Sequence, residues 1–309
     1  MIETDVLIIG AGAAGMTAAM YAKRANLDVV LLDQYPDNDQ QTENKIKTEN
    51  NYHYINFGGV TADELVSRIE DQLKDMDIPC HKGAVRDLFK GDRAFHVSTD
   101  NEKYLSKAVV VASGAKSRAL MVPGEKEFMN NGISYCAVCD APAFKGKNVV
   151  IVGGGDDAFD AALFMARLAQ KVTIVHDQAK PMASDNLRSK VEETDTIEIR
   201  HNFKVMGFIG NDQLETVLGR DQNTGETINI PAEGAFIHIG YIANSRFLKG
   251  TCDLNAYGFV RTNREYETNV KGLYACGDVI EKKYRYFVTA ISDGAIAAMN
   301  AIKYIDLYF

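Results

Sequence analysis

The chain has 309 residues, enough for two ordinary domains, and its 46% hydrophobic and 25% charged residues are the balance of a globular protein with sizeable cores. A net charge of −8 argues against a nucleic-acid partner, which calls for a basic footprint. No apolar run approaches the ~18 residues of a membrane span, and the acidic opening Met1-Ile2-Glu3-Thr4-Asp5 is unlike a basic signal peptide. A cytoplasmic location is expected.

The first predicted element is the apolar strand Val6–Ile9, which runs into Gly10-Ala11-Gly12-Ala13-Ala14-Gly15 and a helical pattern. In such a turn Gly10 makes the bend, Gly12 lets a pyrophosphate approach the backbone, and Gly15 lets helix and strand pack. The phosphate then sits at a helix N-terminus. A strand follows at Val29–Leu32, with Asp33 at its end, eighteen residues after Gly15, placed for a ribose hydroxyl. Val109-Val110-Val111 closes the unit at Ala112-Ser113-Gly114.

Next comes Cys136-Ala137-Val138-Cys139-Asp140, the one close pair among five cysteines; Cys80, Cys252 and Cys276 are scattered. Two intervening residues permit a small-ring disulfide, and such motifs often hold a thiol of lowered pKa. Zinc would need further ligands that the neighbourhood lacks. Two unpaired structural thiols are the plain alternative. Asp140 is placed either to exchange a proton with a departing thiolate or to cap a helix.

The design then repeats. Asn148–Val152 ends in Gly153-Gly154-Gly155-Asp156-Asp157-Ala158, a strand follows at Val172–Val175, and Ala235–Ile239 stops at Gly240. A duplicated unit can keep these glycines for packing alone, so the second fingerprint supports either a second nucleotide or a relic. Tyr274-Ala275-Cys276-Gly277-Asp278-Val279 is a late strand meeting a glycine and an acid, suited to a sugar hydroxyl. Cys276 reads as a small core residue. The expected fold is α/β with two Rossmann-like nucleotide-binding domains, the second inserted into the first. The outer domain takes 1–118 and 245–309 and the inner 119–244, with junctions near Arg118–Pro123 and Ile242–Phe247.

The order of these motifs resembles that of the low-molecular-weight thioredoxin reductases over nearly the whole chain, including Val122-Pro123-Gly124-Glu125, Ser134-Tyr135 before the cysteines, and Tyr284-Arg285. The resemblance implies FAD in the outer domain, held by Gly10, Gly12, Ala13, Ala14, Gly15, Asp33, Gln41, Asn50, Ala112, Gly114, Gly277, Asp278, Arg285, Tyr286 and Phe287. It implies a nicotinamide cofactor in the inner domain, at Gly153, Gly155, Asp156, Asp157, Ala158 and Asp177. By the same resemblance Cys139 faces the flavin, Cys136 attacks a protein disulfide such as that of thioredoxin, Asp140 donates the proton, the inner domain rotates between two states, and the chain is a homodimer.

Three departures bear on the electron donor. Where the NADPH-using type has His-Arg-Arg and a further arginine, this chain has His176-Asp177-Gln178-Ala179-Lys180-Pro181-Met182. An acid at that strand end favours the 2′-hydroxyl of NADH, although Lys180 and Arg188 lie near enough to serve NADPH. The flavin loop Gly-Gly-Gln reads Asp39-Gln40-Gln41, in register with Glu49-Asn50, and Tyr-Arg-Gln reads Tyr284-Arg285-Tyr286. The expected activity is a disulfide reductase fed by NADH rather than NADPH. The rivals are a ferredoxin-fed reductase, an FAD-dependent dithiol oxidase and a flavin-bound sensor. The apolar tail Ile305–Phe309 is expected to pack at an interface or over the flavin.

Overall fold

The computed structural model describes residues 1–34 and 62–309 and divides into two compact units. Among the described residues the first unit takes 1–34, 62–116 and 242–309, and the second takes 117–241, so one unit is inserted into the other.

The first unit begins with β1 (Ile2–Ile9), α1 (Ala13–Arg24), β2 (Val29–Asp33), α2 (Ala62–Asp75) and β3 (Cys80–Lys82). It continues through β4 (Val85–Lys90), β5 (Phe95–Thr99) and β6 (Lys103–Val111). Strands β3, β2, β1 and β6 are parallel neighbours in that order. No residue from Val6 to Ile9 is more than 5% exposed, because both faces of the sheet are covered. Val6 and Ile8 pack with Ala18 of α1, whereas Leu7 and Ile9 pack with Leu88, Phe95 and Val97 of the β4–β5 hairpin. That two-sided burial is why the strand reads as an unbroken apolar run rather than an alternation.

The chain leaves through β7 (Ala115–Ser117) and builds the same plan again. The second unit contains β8 (Ile133–Ser134), α3 (Ala137–Asp140), β9 (Asn148–Val152), α4 (Asp156–Met165), β10 (Lys171–Val175), α5 (Asp185–Glu192) and β11 (Ile197–Arg200). An antiparallel layer of β12 (Phe203–Gly210), β13 (Leu214–Asp221) and β14 (Thr227–Pro231) precedes β15 (Gly234–Ile237). The central sheet is parallel, in the order β11-β10-β9-β15-β8. Val149 and Ile151 face Phe159 and Met165 of α4, and Val150 and Val152 face Val205, Val217 and Ile230 of the antiparallel layer.

The return strand β16 (Tyr241–Ala243) pairs with β7. The first unit is then completed by β17 (Leu273–Ala275), which joins the later half of β6 in parallel, and by α6 (Phe287–Tyr308). Helix α6 crosses α1 with almost no space between the backbones: a Cβ on Gly294 would lie 2.1 Å from the carbonyl oxygen of Ala14.

Candidate functional site

In the first unit three separate segments converge on the start of α1. Gly10 has φ +108°, and a Cβ there would lie 2.3 Å from the Ala112 carbonyl oxygen; a Cβ on Gly15 would lie 1.7 Å from the oxygen of Gly10. These two glycines are demanded by packing. Gly12, the N-cap of α1, and Gly114 face open space. A Cβ on Gly277 would meet the Ala14 side chain at 2.9 Å, so the turn after β17 abuts the first turn of α1 at Ala14. Asp33 accepts a 2.6 Å bond from the Ala11 amide, which ties the end of β2 to the glycine turn. A tight turn, an open cradle at Gly12 and a helix N-terminus together fit a dinucleotide phosphate.

The late segment is less open. Arg285 donates to the carbonyls of Lys282 (2.7 Å) and Ile280 (3.3 Å) and lies 4.3 Å from the ring centroid of Phe259. Tyr286 is the N-cap of α6, its amide donating to Thr289 Oγ1 at 3.2 Å, and its ring stacks beside Tyr284. Phe287 opens the helix. Cys276 is fully buried, and burial pushes its thiol up and disfavours the thiolate. At the chain end Lys107 lies 5.7 Å from the Phe309 ring centroid. Gln41 and Asn50, with the Asp39–Gln41 loop, lie outside the described residues.

In the second unit Cys136 and Cys139 form a disulfide with Cα atoms 5.3 Å apart, at the N-terminus of α3. The Cys139 amide donates to Cys136 Sγ at 3.2 Å. Buried Asp140 makes no capping bond. Instead the Ser134 hydroxyl, also buried, donates to Asp140 Oδ2 at 2.5 Å and accepts from the Cys136 amide at 2.9 Å. One serine thus orients both the acid and the first cysteine. The sequence displays Ser134 two residues before Cys136, but only the turn out of β8 shows what it does.

The second fingerprint repeats the glycine logic. Gly153 has φ +146°, and a Cβ there would meet the His238 carbonyl oxygen at 2.1 Å and the Ala158 Cβ at 3.0 Å. Gly155, the N-cap of α4, is open. Asp156 and Asp157 occupy the first turn, and Asp156 Oδ1 accepts from the Ser184 amide at 2.7 Å. Asp177 is exposed just beyond β10, within reach of Gln178 (3.1 Å), while Arg188 is paired with Asp185. Two histidines that sequence reading did not single out stand at strand ends beside the turn. His176 Nε2 bonds His201 Nδ1 at 2.9 Å, and both His176 Nδ1 and His238 Nε2 are enclosed without a partner. Burial pulls the pKa of His176 down, with His201 adding to it, and that of His238 to about 4. Among the described residues there is no cluster of metal-ligating side chains.

The family description of pyridine nucleotide-disulphide oxidoreductases matches residues 4–294. The thioredoxin reductase of Bacillus subtilis is 36% identical over 308 residues, 98% of this chain and 95% of that protein. Among solved structures, the thioredoxin reductase of Streptococcus pyogenes superposes with a TM-score of 0.91 at 32% identity, over 99% of each chain. A ferredoxin-flavin thioredoxin reductase from Clostridium acetobutylicum covers 99% of each chain at 26% identity and a TM-score of 0.54.

Proposed function

Because the chain belongs to the pyridine nucleotide-disulphide oxidoreductases and is of the low-molecular-weight thioredoxin reductase type, we propose that it carries electrons from NADH through FAD to Cys136–Cys139 and on to a protein disulfide of the thioredoxin class. The observation that carries this reading is the Cys136–Cys139 disulfide beside a buried, serine-held carboxyl. FAD, when bound, supplies two-electron relay between a nicotinamide and a dithiol. Gly10, Gly12, Ala13, Ala14, Gly15, Asp33, Ala112, Gly114, Gly277 and Asp278 are the residues that would hold it.

The chain's own chemistry is thiol exchange. In the reduced pair the Cys136 thiolate attacks the partner disulfide, forming a mixed disulfide and expelling one partner thiolate. The Cys139 thiolate then breaks that bond, regenerates Cys136–Cys139 and releases the partner as a dithiol, so two electrons leave with it. The Cys139 amide aimed at Cys136 Sγ stabilises the attacking thiolate. Asp140 supplies the proton for the departing sulfur.

NADH is favoured over NADPH because Asp177 stands at the β10 end and Arg188 is engaged by Asp185. A second reading, ferredoxin as donor, draws on the carboxylates of Asp156 and Asp157 at the first turn of α4. There a pyrophosphate would meet like charge. Anaerobic mixing of the flavoprotein with NADH, NADPH or reduced ferredoxin, read as flavin bleaching, separates the two. Fast bleaching by NADH supports the proposal; bleaching by ferredoxin alone overturns it in favour of the second reading.

A further inference from the structure

Beside Asp278 the first unit holds a charged cluster that the chemistry above does not use. Buried Asp293 of α6 accepts from the Tyr266 hydroxyl at 2.6 Å, from Lys282 Nζ at 2.7 Å and from the Gly277 amide at 3.2 Å. The same Lys282 ammonium stands 3.3 Å from Asp278 Oδ1, an enclosed oxygen with no hydrogen-bond partner. Burial raises the Asp278 pKa; Lys282 leads the opposing influences, Arg285 adds to it, and Asp293 works against them. An enclosed acceptor that the protein leaves unbonded is prepared for a donor from outside. Its value as an acceptor is greatest while it carries charge.

We infer that Lys282 is a positioning residue of the first unit's nucleotide site, the fixed countercharge that keeps Asp278 an anionic acceptor for a ligand hydroxyl. This rests on the reading that FAD occupies that unit. Asp293 holds the ammonium in place, and Tyr266 and the Gly277 amide hold Asp293, so the lysine cannot swing away to solvent without leaving a buried carboxylate unpaired.

The test is titration of apoprotein with FAD, followed by flavin fluorescence, between pH 5.5 and 9. Lys282→Met is made together with Asp293→Asn, because asparagine still accepts from Tyr266 and leaves no buried charge; D293N alone is the reference. Wild type, K282R and D293N are expected to bind with a Kd that changes much less with pH than that of K282M/D293N. The K282M/D293N protein is expected to bind about tenfold or more weakly at the acid end of that range and to recover as pH rises, because without Lys282 burial pushes the Asp278 carboxyl further towards its protonated form. D278N should be weak at every pH, and adding it to K282M/D293N should cost nothing more at pH 5.5. A pH-independent loss in K282M/D293N, or a loss additive with D278N, overturns the inference. Wild-type apoprotein that takes up no FAD at any pH overturns the cofactor reading beneath it.

Discussion

Ser134, Cys136, Cys139 and Asp140 work as one device, because three hydrogen bonds around the pair each have a member of the motif at both ends. Replacing either cysteine by serine removes the exchangeable sulfur and leaves the glycine turns untouched. Cys136→Ser and Cys139→Ser are therefore expected to keep FAD while disulfide reduction falls by at least ~10³-fold, the scale of losing a nucleophile. Full activity in either, measured with a protein disulfide and reduced flavin, would sink the assignment. Asp140→Asn keeps the shape and the Ser134 contact but removes the exchangeable proton. Turnover should fall by about 10²-fold, the low end of general acid catalysis. Ser134→Ala keeps every reacting group and loses only the hydrogen bonds that orient that acid and the Cys136 amide, and a loss of roughly five- to tenfold is expected, the scale of a lost hydrogen bond. If S134A is as damaged as D140N, the serine is chemistry rather than support.

At the level of elements, the glycines divide into those that packing requires and those left open for a ligand. Gly15 and Gly294 belong to the first group, since a Cβ at either would lie about 2 Å or less from a backbone oxygen that cannot move away: 1.7 Å from Gly10 and 2.1 Å from Ala14. Gly12 and Gly155 belong to the second, each at the N-cap of its helix with nothing in the way. Gly294→Ala is thus expected to cost the apoprotein ~3 kcal/mol or more in thermal unfolding, the upper range of overpacking. Gly12→Ala should change apoprotein stability by less than ~1 kcal/mol, yet weaken FAD binding. Equal loss of stability in both would mean that Gly12 is structural. This division also marks what the sequence makes legible. The fingerprints are readable because their glycines fall within six residues of one another, between a strand and a helix, and the two-sided strand burial leaves an unbroken apolar run at Val6–Ile9 and Val149–Val152. Lys282–Asp293 and His176–His201 leave no such trace. Each pair joins residues from different elements, eleven and twenty-five positions apart, brought together only by where a helix or strand ends. Nothing in the local pattern distinguishes Lys282 from its neighbour Lys283.

Across the whole molecule the two units share a plan but differ in how they respond to acid. In the second unit, burial holds His176 and His238 in the neutral form, with His238 down at about 4 against an ordinary 6.5. The unfolded chain takes up these protons near pH 6.5 and the folded unit does so at lower pH, for His238 at about 4, so the unfolded state binds more protons in between. Stability therefore rises with pH there and is lost as pH falls from 6.5 towards 4. For His238 alone the full interval corresponds to roughly 3 kcal/mol, a large share of a domain's stability. In the first unit, Lys107 and the Asp28 backbone hold Asp5 below its ordinary 3.8 despite burial, and that contribution is lost only at lower pH. The second unit is accordingly expected to open first on acidification, at a pH where the first is still closed. Hydrogen exchange at pH 5 should show loss of protection in β9, β10 and β15 before β1 and β6. His238→Leu should flatten the pH dependence between 6.5 and 4, because the leucine has no proton to gain. Simultaneous opening of both sheets, or an unchanged slope in H238L, would mean that His238 is not the group that couples pH to the fold. Since His238 lies at the end of β15, its carbonyl against Gly153, acid opening would disperse the second glycine turn together with the Cys136–Cys139 centre in the same unit. Disulfide reductase activity should then decline in step with exchange in β15, while flavin release waits for the lower pH at which the first unit gives way.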